Sequence, residues 1–159
     1  MTYDDIWFPL QNGLETFLGI PVIQAEGLGK QPPYPFIAIK FTLFGQGVGQ
    51  VSEKLEGTNK VITQALESVI SVTCYAERIE DAHNKTNQAR NYFLGQGHYE
   101  LSDHNITVVD VMPANNRDVF LTTDYERRAG FDVRLRTKLV ESFEVGVIEQ
   151  VTINERMEE

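Results

Sequence analysis

His98, Asp103 and His104 stand within seven residues of one another and carry the donor chemistry of a metal site. Such a site needs three or four converging ligands. No second cluster accompanies this one, and the remaining histidine, His83, falls in a separate segment. The pattern therefore predicts a polar connector over residues 98–105, with no metal. Glycines at 45, 47 and 49 raise a phosphate loop, whose physics requires a helix N-terminus directly afterwards. Residues 51–59 instead read V-S-E-K-L-E-G-T-N, with no lysine–serine pair and no helical face. A mobile loop or a hairpin excursion fits better than a nucleotide site, and the expectation is a flexible loop. A serine nucleophile needs a histidine base presented on a sharp turn, and no Gly-x-Ser-x-Gly occurs. The acid pairs Asp4-Asp5 and Glu80-Asp81 fall in first turns of predicted helices, where acids offset the helix dipole. Asp110, late in an apolar run, is the best single carboxylate, and an ion pair with Arg117 or Arg134 accounts for it as structure. Cys74, the one cysteine, lies in an apolar run and reads as a small buried hydrophobe. No catalytic set emerges, and no cofactor is expected.

The arginines remain. Between residues 115 and 151 the chain alternates, with Ala129, Phe131, Val133 and Leu135 on one face and Gly130, Asp132, Arg134 and Arg136 on the other. Period two with one apolar face is a half-buried strand. A second run, Phe143, Val145, Val147 and onward to Val151 and Ile153, comes after the polar break Glu141-Ser142, and predicts a hairpin or a neighbouring strand. Guanidinium groups on a sheet face pair with nearby carboxylates or reach across a subunit boundary.

Several elements must position these residues. Ile6, Leu10, Leu14, Phe17 and Leu18 share a helical face that Gly19 ends. Pro9 predicts either a start near Phe8 or a kink, with Trp7 and Phe8 as anchors at the helix mouth. Residues 20–25 are a short strand closed by Glu26-Gly27-Leu28-Gly29-Lys30, and prolines 32, 33 and 35 form a stiff extended lead-in. Residues 36–44 are a central strand, and residues 60–76 hold one long strand or two. Ile79, Ala82, Thr86, Ala89 and Phe93 give a second helix, with acids early and Arg90 late, ended by Gly95 and Gly97. Residues 106–112 are a strand stopped by Pro113 and a turn at Asn115-Asn116. The order predicts an α+β domain, a mostly antiparallel (mixed) β-sheet with two main helices packed on one face. One domain spans residues 1–154, with a frayed charged tail at 155–159.

Bulk properties agree. The 159 residues suit one domain, and 42% hydrophobic with 23% charged content excludes a disordered or membrane-spanning chain. The net charge of -9, from 14 basic and 23 acidic residues, argues against a nucleic-acid coat protein. It suits a chain that faces DNA without holding it. An acidic N-terminus predicts a cytoplasmic protein.

Asn116-Arg117-Asp118-Val119-Phe120-Leu121, then Asp124-Tyr125-Glu126-Arg127-Arg128-x-Gly130-Phe131-Asp132-Val133-Arg134-Leu135-Arg136, resembles the neck terminator or tail completion proteins of tailed bacteriophages. So do Leu18-Gly19-Ile20-Pro21-Val22-Ile23-Gln24-Ala25 and Pro33-Tyr34-Pro35-Phe36. The resemblance implies a structural, non-enzymatic virion protein, assembled in the host cytoplasm into a ring, commonly a hexamer, at the head-proximal end of the tail tube. Its partners would be itself, the tube protein and the head connector or head completion protein, with DNA passing through. Arg117, Glu126, Arg127, Arg128, Arg134 and Arg136 are then candidate subunit-interface residues. The rivals are a head-side connector or head completion protein, a small-ligand-binding α+β domain, and an enzyme using Asp110, His98 or His104.

Overall fold

The structure is a computed structural model that describes residues 1–27, 29–121 and 125–146, with the backbone alone at Tyr125. Helix α1 (Tyr3–Leu18) opens on a capping box: Thr2 Oγ1 accepts from the Asp5 amide and Asp5 Oδ2 accepts from the Thr2 amide. It closes on Gly19 in the left-handed region, at φ 68°. Pro9 sits well inside the helix, so the expected start near Phe8 is displaced to Tyr3. The strong cap holds the first turn despite the amide that Pro9 lacks. Trp7 joins Ile6, Leu10, Leu14 and Leu18 in the core, whereas Phe8 and Phe17, expected as anchor and core, are exposed.

Strand β1 (Val22–Gln24) pairs parallel with β2 (Phe36–Glu56), which turns back antiparallel into β3 (Asn59–Ala76). Helix α1 fastens β1 through side chains: Glu15 accepts from the Val22 amide and Gln11 donates to the Val22 carbonyl, both at 3.0 Å. Helices α2 (Ile79–Leu94) and α3 (Gln96–Asp103) come next, then β4 (Thr107–Val111), β5 (Asn115–Asn116), β6 (Val119–Phe120) and β7 (Tyr125–Glu144). The path across the sheet is β1-β2-β3-β7-β4, with β5 and β6 also on β7. The fold is α+β on a mixed sheet, as expected.

One face of this sheet carries the core. Ile37, Ile39, Ile70, Val72, Phe131, Val133 and Leu135 meet α1, α2 and α3 residues such as Leu14, Tyr92, Phe93 and Leu101. Each such large side chain contributes about 1.5–3 kcal/mol by leaving water. Where α2 crosses β3 and β7, Ala82, Ala76 and Ala129 allow close approach, and Thr86 Oγ1 donates to the Ala129 carbonyl at 3.1 Å.

Several expectations are corrected. Residues 98–105 are expected as a connector, yet most of them form α3, whose Leu101 is a core residue. Gly97 lies inside α3, and Gly95 alone separates the two helices. The glycines at 45, 47 and 49 are inside β2, where three register shifts absorb extra residues and Gly45 and Gly49 take φ +68° and +74°. The expected flexible loop is thus corrected to part of a long strand, whose hairpin with β3 closes at Gly57. The break at Glu141-Ser142 does not end a strand, because β3 offers partners as far as Asn59↔Glu144. Beyond Gly146, the continuation through Val147, Val151 and Ile153 and the tail at 155–159 lie outside the described residues, as do Leu28 and Asp124. Finally, Asn115 and Asn116 pair with Gly130 and Ala129 as a short strand, and the turn comes after them.

Candidate functional site

Alternation along β7 buries Ala129, Phe131, Val133 and Leu135 and turns Arg128, Gly130, Asp132, Arg134 and Arg136 toward the face that the helices leave open. Arg117, between β5 and β6, reaches over that face. Its Nη1 donates to Ser71 Oγ at 2.7 Å and Thr73 Oγ1 at 2.9 Å, Nε to Asn115 Oδ1 at 2.8 Å, and Nη2 to Asp132 Oδ1 at 3.2 Å. Gly130 makes that position possible. A Cβ there would run into the Val72 carbonyl oxygen and come within 2.8 Å of Arg117 Nη1.

Beside this clamp, five side chains close a loop. The Tyr34 ring stacks near Phe36 (5.7 Å), Phe36 stacks on Tyr75 (4.8 Å, 5° between planes), and the Arg128 guanidinium lies 4.6 Å over Tyr75. Arg128 Nε donates to Glu126 Oε1 at 2.8 Å, and the Tyr34 hydroxyl donates to Glu126 Oε2 at 3.1 Å. The Tyr34-Pro35-Phe36 lead-in is thereby tied to β7.

Asp118 is the third node. It accepts from the Arg128 amide (2.8 Å), Arg127 Nη1 (3.0 Å) and Asn116 Nδ2 (3.2 Å). Burial pushes its carboxyl up, but those three donors outweigh burial and hold it below the ordinary value. The fourth node is Glu67. Arg134 Nε lies 2.7 Å from Oε1, off the line of a hydrogen bond, and Arg136 Nη2 lies 3.9 Å from Oε2.

These nodes sort the expected residues. Arg117, Arg127 and Arg128 each meet one carboxylate of their own, on Asp132, Asp118 and Glu126. Arg134 and Arg136 share a single one, and their side chains are 41% and 44% exposed against 24–33% for the others. A pair held by hydrogen bonds and half removed from water contributes about 1.5–3 kcal/mol. An exposed pair contributes about 0–1 kcal/mol. The first three arginines therefore hold the subunit's own shape, while the last two leave positive charge in excess of their partner.

Asp110 is exposed, and its expected ion pair does not form as stated: Arg117 goes to Asp132 and Arg134 to Glu67, although Asp110 faces Arg134 across the β4–β7 ladder. His98 and Asp103 lie on α3 and His104 at its C-cap, and among the described residues no three His, Cys, Asp or Glu side chains gather as a metal site. No spacing in the sequence singles out Glu67, though it is the sole acid in β3. The Tyr34–Phe36–Tyr75 stack is equally silent there, because contacts between strands depend on register.

Past the last buried residues, Leu66 on β3 and Thr137 on β7, the sheet runs on as a ribbon of β2, β3 and β7 alone. No described residue of that ribbon is buried. Val51, Leu55, Val140 and Phe143 stand exposed on it. At ~3.3 Å per residue, its seven β3 residues reach roughly 20 Å.

Among the described residues, no helix is long and apolar enough to cross a membrane. A comparison with curated proteins finds no match. The family model described as phage neck terminator protein matches residues 9–158, nearly the whole chain, and the chain belongs to that family.

Proposed function

We propose that this protein is a structural subunit that closes into a ring at the head-proximal end of the phage tail tube, ends tube growth and joins the tail to the head connector. The observation that carries this reading is the ribbon of β2, β3 and β7. A wet, three-stranded extension bearing four exposed large apolar side chains has no reason to persist in an isolated acidic subunit. It makes sense as a surface covered on assembly. Arg134 and Arg136, with Lys138 next along the same face, supply the excess positive charge for a contact with a neighbouring acidic surface. A contact between unlike surfaces of identical subunits closes as a ring when the rotation allows. The chain's net charge of -9 suits a ring through which DNA slides without adhering. Tube protein, head connector and the ring itself are the partners, and the site of action is the virion neck.

The test is negative-stain electron microscopy of the purified protein, alone and mixed with sheared or growing tail tubes. Closed rings with a central hole, or tube ends that stop growing and carry a cap, are expected. Monomers that neither assemble nor cap tubes would overturn the reading.

A further inference from the structure

The ribbon has two unpaired edges. Strand β4 accompanies β7 only as far as Thr107↔Arg136, so beyond that pair the outer edge of β7 meets no strand among the described residues. On the far side, β1 covers β2 only at Ile37–Ile39, and no other strand among the described residues pairs the outer edge of β2 out to Glu56. Both edges flank β3 antiparallel and therefore run in the same sense. They also end level, with Ser52 and Val140 both opposite Thr63, and Glu56 and Glu144 both opposite Asn59.

The β7 edge does not face open water throughout. A cleft of about 410 Å³ separates it from the ends of α1 and α3, with Lys138 and Val140 on one wall, Asp5, Asp103 and His104 on the other, and Ile6 and Ile106 between. Thr137, 7% exposed, lines this cleft, and its Oγ1 is buried with no hydrogen-bond partner among the described residues. A buried hydroxyl left unpaired is costly, so it marks a missing partner. Along the β2 edge Val51 and Leu55 stand exposed, the latter 66%, and Leu55, opposite Lys60, lies on the sheet face that carries the helices.

We propose that residues 50–55 of β2 from a second copy of this chain enter the cleft and pair, as a parallel edge strand, with β7 at residues 137–142. In a cyclic assembly corresponding strands keep one sense about the axis, so β2 of one copy must meet β7 of the next in parallel, as these edges do. Strand addition then satisfies the open backbone groups of both edges, and a backbone group of the incoming strand can partner Thr137. The inference rests on the ring reading and names the contact that closes it.

Cysteine pairs test it. Val140→Cys is combined in turn with Gln50→Cys, Ser52→Cys and Lys54→Cys in the full chain, with mild oxidation. Within one subunit β3 lies between β2 and β7, which sets them about 9–10 Å apart and out of disulfide reach. At least one pair should give a ladder of crosslinked multimers on a non-reducing gel, and Leu55→Glu, placed against Asp5 and Asp103, should abolish that ladder while the melting temperature stays put. Rings in the microscope with no crosslink at any register would overturn the edge contact and leave the ring standing. A ladder without rings or tube capping would keep the contact and remove the ring. Neither crosslinks nor rings would remove both. Crosslinks that appear only after deletion of residues 147–159 would show that the chain's own C-terminal segment fills the cleft, which also overturns the proposal.

Discussion

Replacing Gly130 by alanine should be among the most damaging single changes available on the open face of the sheet. The added methyl group would collide with the backbone oxygen of Val72, which the β3–β7 ladder fixes in place, and would come within 2.8 Å of Arg117 Nη1. Overpacking of a well-filled site costs about 1–3 kcal/mol. Pushing the guanidinium aside also forfeits its bonds to Ser71, Thr73 and Asp132, about 0.5–1 kcal/mol for each and about 2 kcal/mol in all. Together the loss is about 3–5 kcal/mol, a large fraction of a typical domain's 5–15 kcal/mol. For a chain of this size that lowers the midpoint of thermal unfolding by roughly 10 °C. Urea denaturation followed by tryptophan fluorescence of Trp7 gives the free energy directly. Arg117→Ala alone should cost about 2 kcal/mol, and the double variant should cost less than the sum, because the alanine then has only Val72 to displace. A Gly130→Ala protein as stable as the parent, or strict additivity with Arg117→Ala, would refute the claim that the glycine exists to seat the arginine.

Gly13→Ala and Gly97→Ala should each destabilise by about 1–3 kcal/mol in the same assay, since both new methyl groups would meet the ring or hydroxyl of fully buried Tyr92. Asp118 makes stability pH-dependent: a carboxyl held low in the folded chain binds fewer protons there than in the unfolded chain. Its contribution is therefore full above the ordinary carboxylate range and lost as pH falls through the lower folded value. Urea midpoints measured between pH 3 and 6 should fall less steeply toward acid in Asp118→Asn than in the parent. Burial pushes the Cys74 thiol up to about 12, so a thiol reagent at pH 8 should label the native protein only at the rate of unfolding and label it at once in denaturant. Arg134→Glu with Arg136→Glu should prevent ring formation in the microscope while shifting stability by no more than about 1 kcal/mol. Arg128→Ala, which opens the Glu126 and Tyr75 contacts, should cost more stability than that pair of changes.

Period and end signals carry the fold. The alternation of residues 129–135 and the three- and four-residue spacing of α1 and α2 are local patterns, and each appears where the spacing puts it. The departures share one cause, which is that local chemistry is outvoted by a neighbour. Gly45, Gly47 and Gly49 look like loop residues in isolation, but β3 runs straight beside them: Gly47 pairs with Leu66, and Gly45 and Gly49 sit at left-handed φ where bulges take up the surplus length. Residues 96–103 carry the polar sequence of a connector, yet Leu101 alone, packed into the core, gives the helix a reason to form. Pro9 suggests a helix start by itself, but the capping box of Thr2 and Asp5 begins the helix upstream of it.

The candidate site is legible as a set of residues and illegible as a set of roles, for a reason rooted in register. Sequence shows five arginines between residues 117 and 136; it cannot show that Glu67 on β3 lies level with Arg136, or that Ser71 lies level with Asp132. Which charges are settled inside the subunit depends wholly on those pairings. Arg117, Arg127 and Arg128 each find a carboxylate of their own, so their removal is felt first as lost stability, and any effect on assembly comes second. Arg134 and Arg136 divide Glu67 between them, so a neighbouring subunit that brings one more acid gains a charge-assisted contact without breaking an internal one. On the proposed ring, stability and assembly should separate along a single strand, at the step from Asp132 to Arg134. A set of variants walked along β7 should show the melting temperature recovering at the point where ring formation begins to fail.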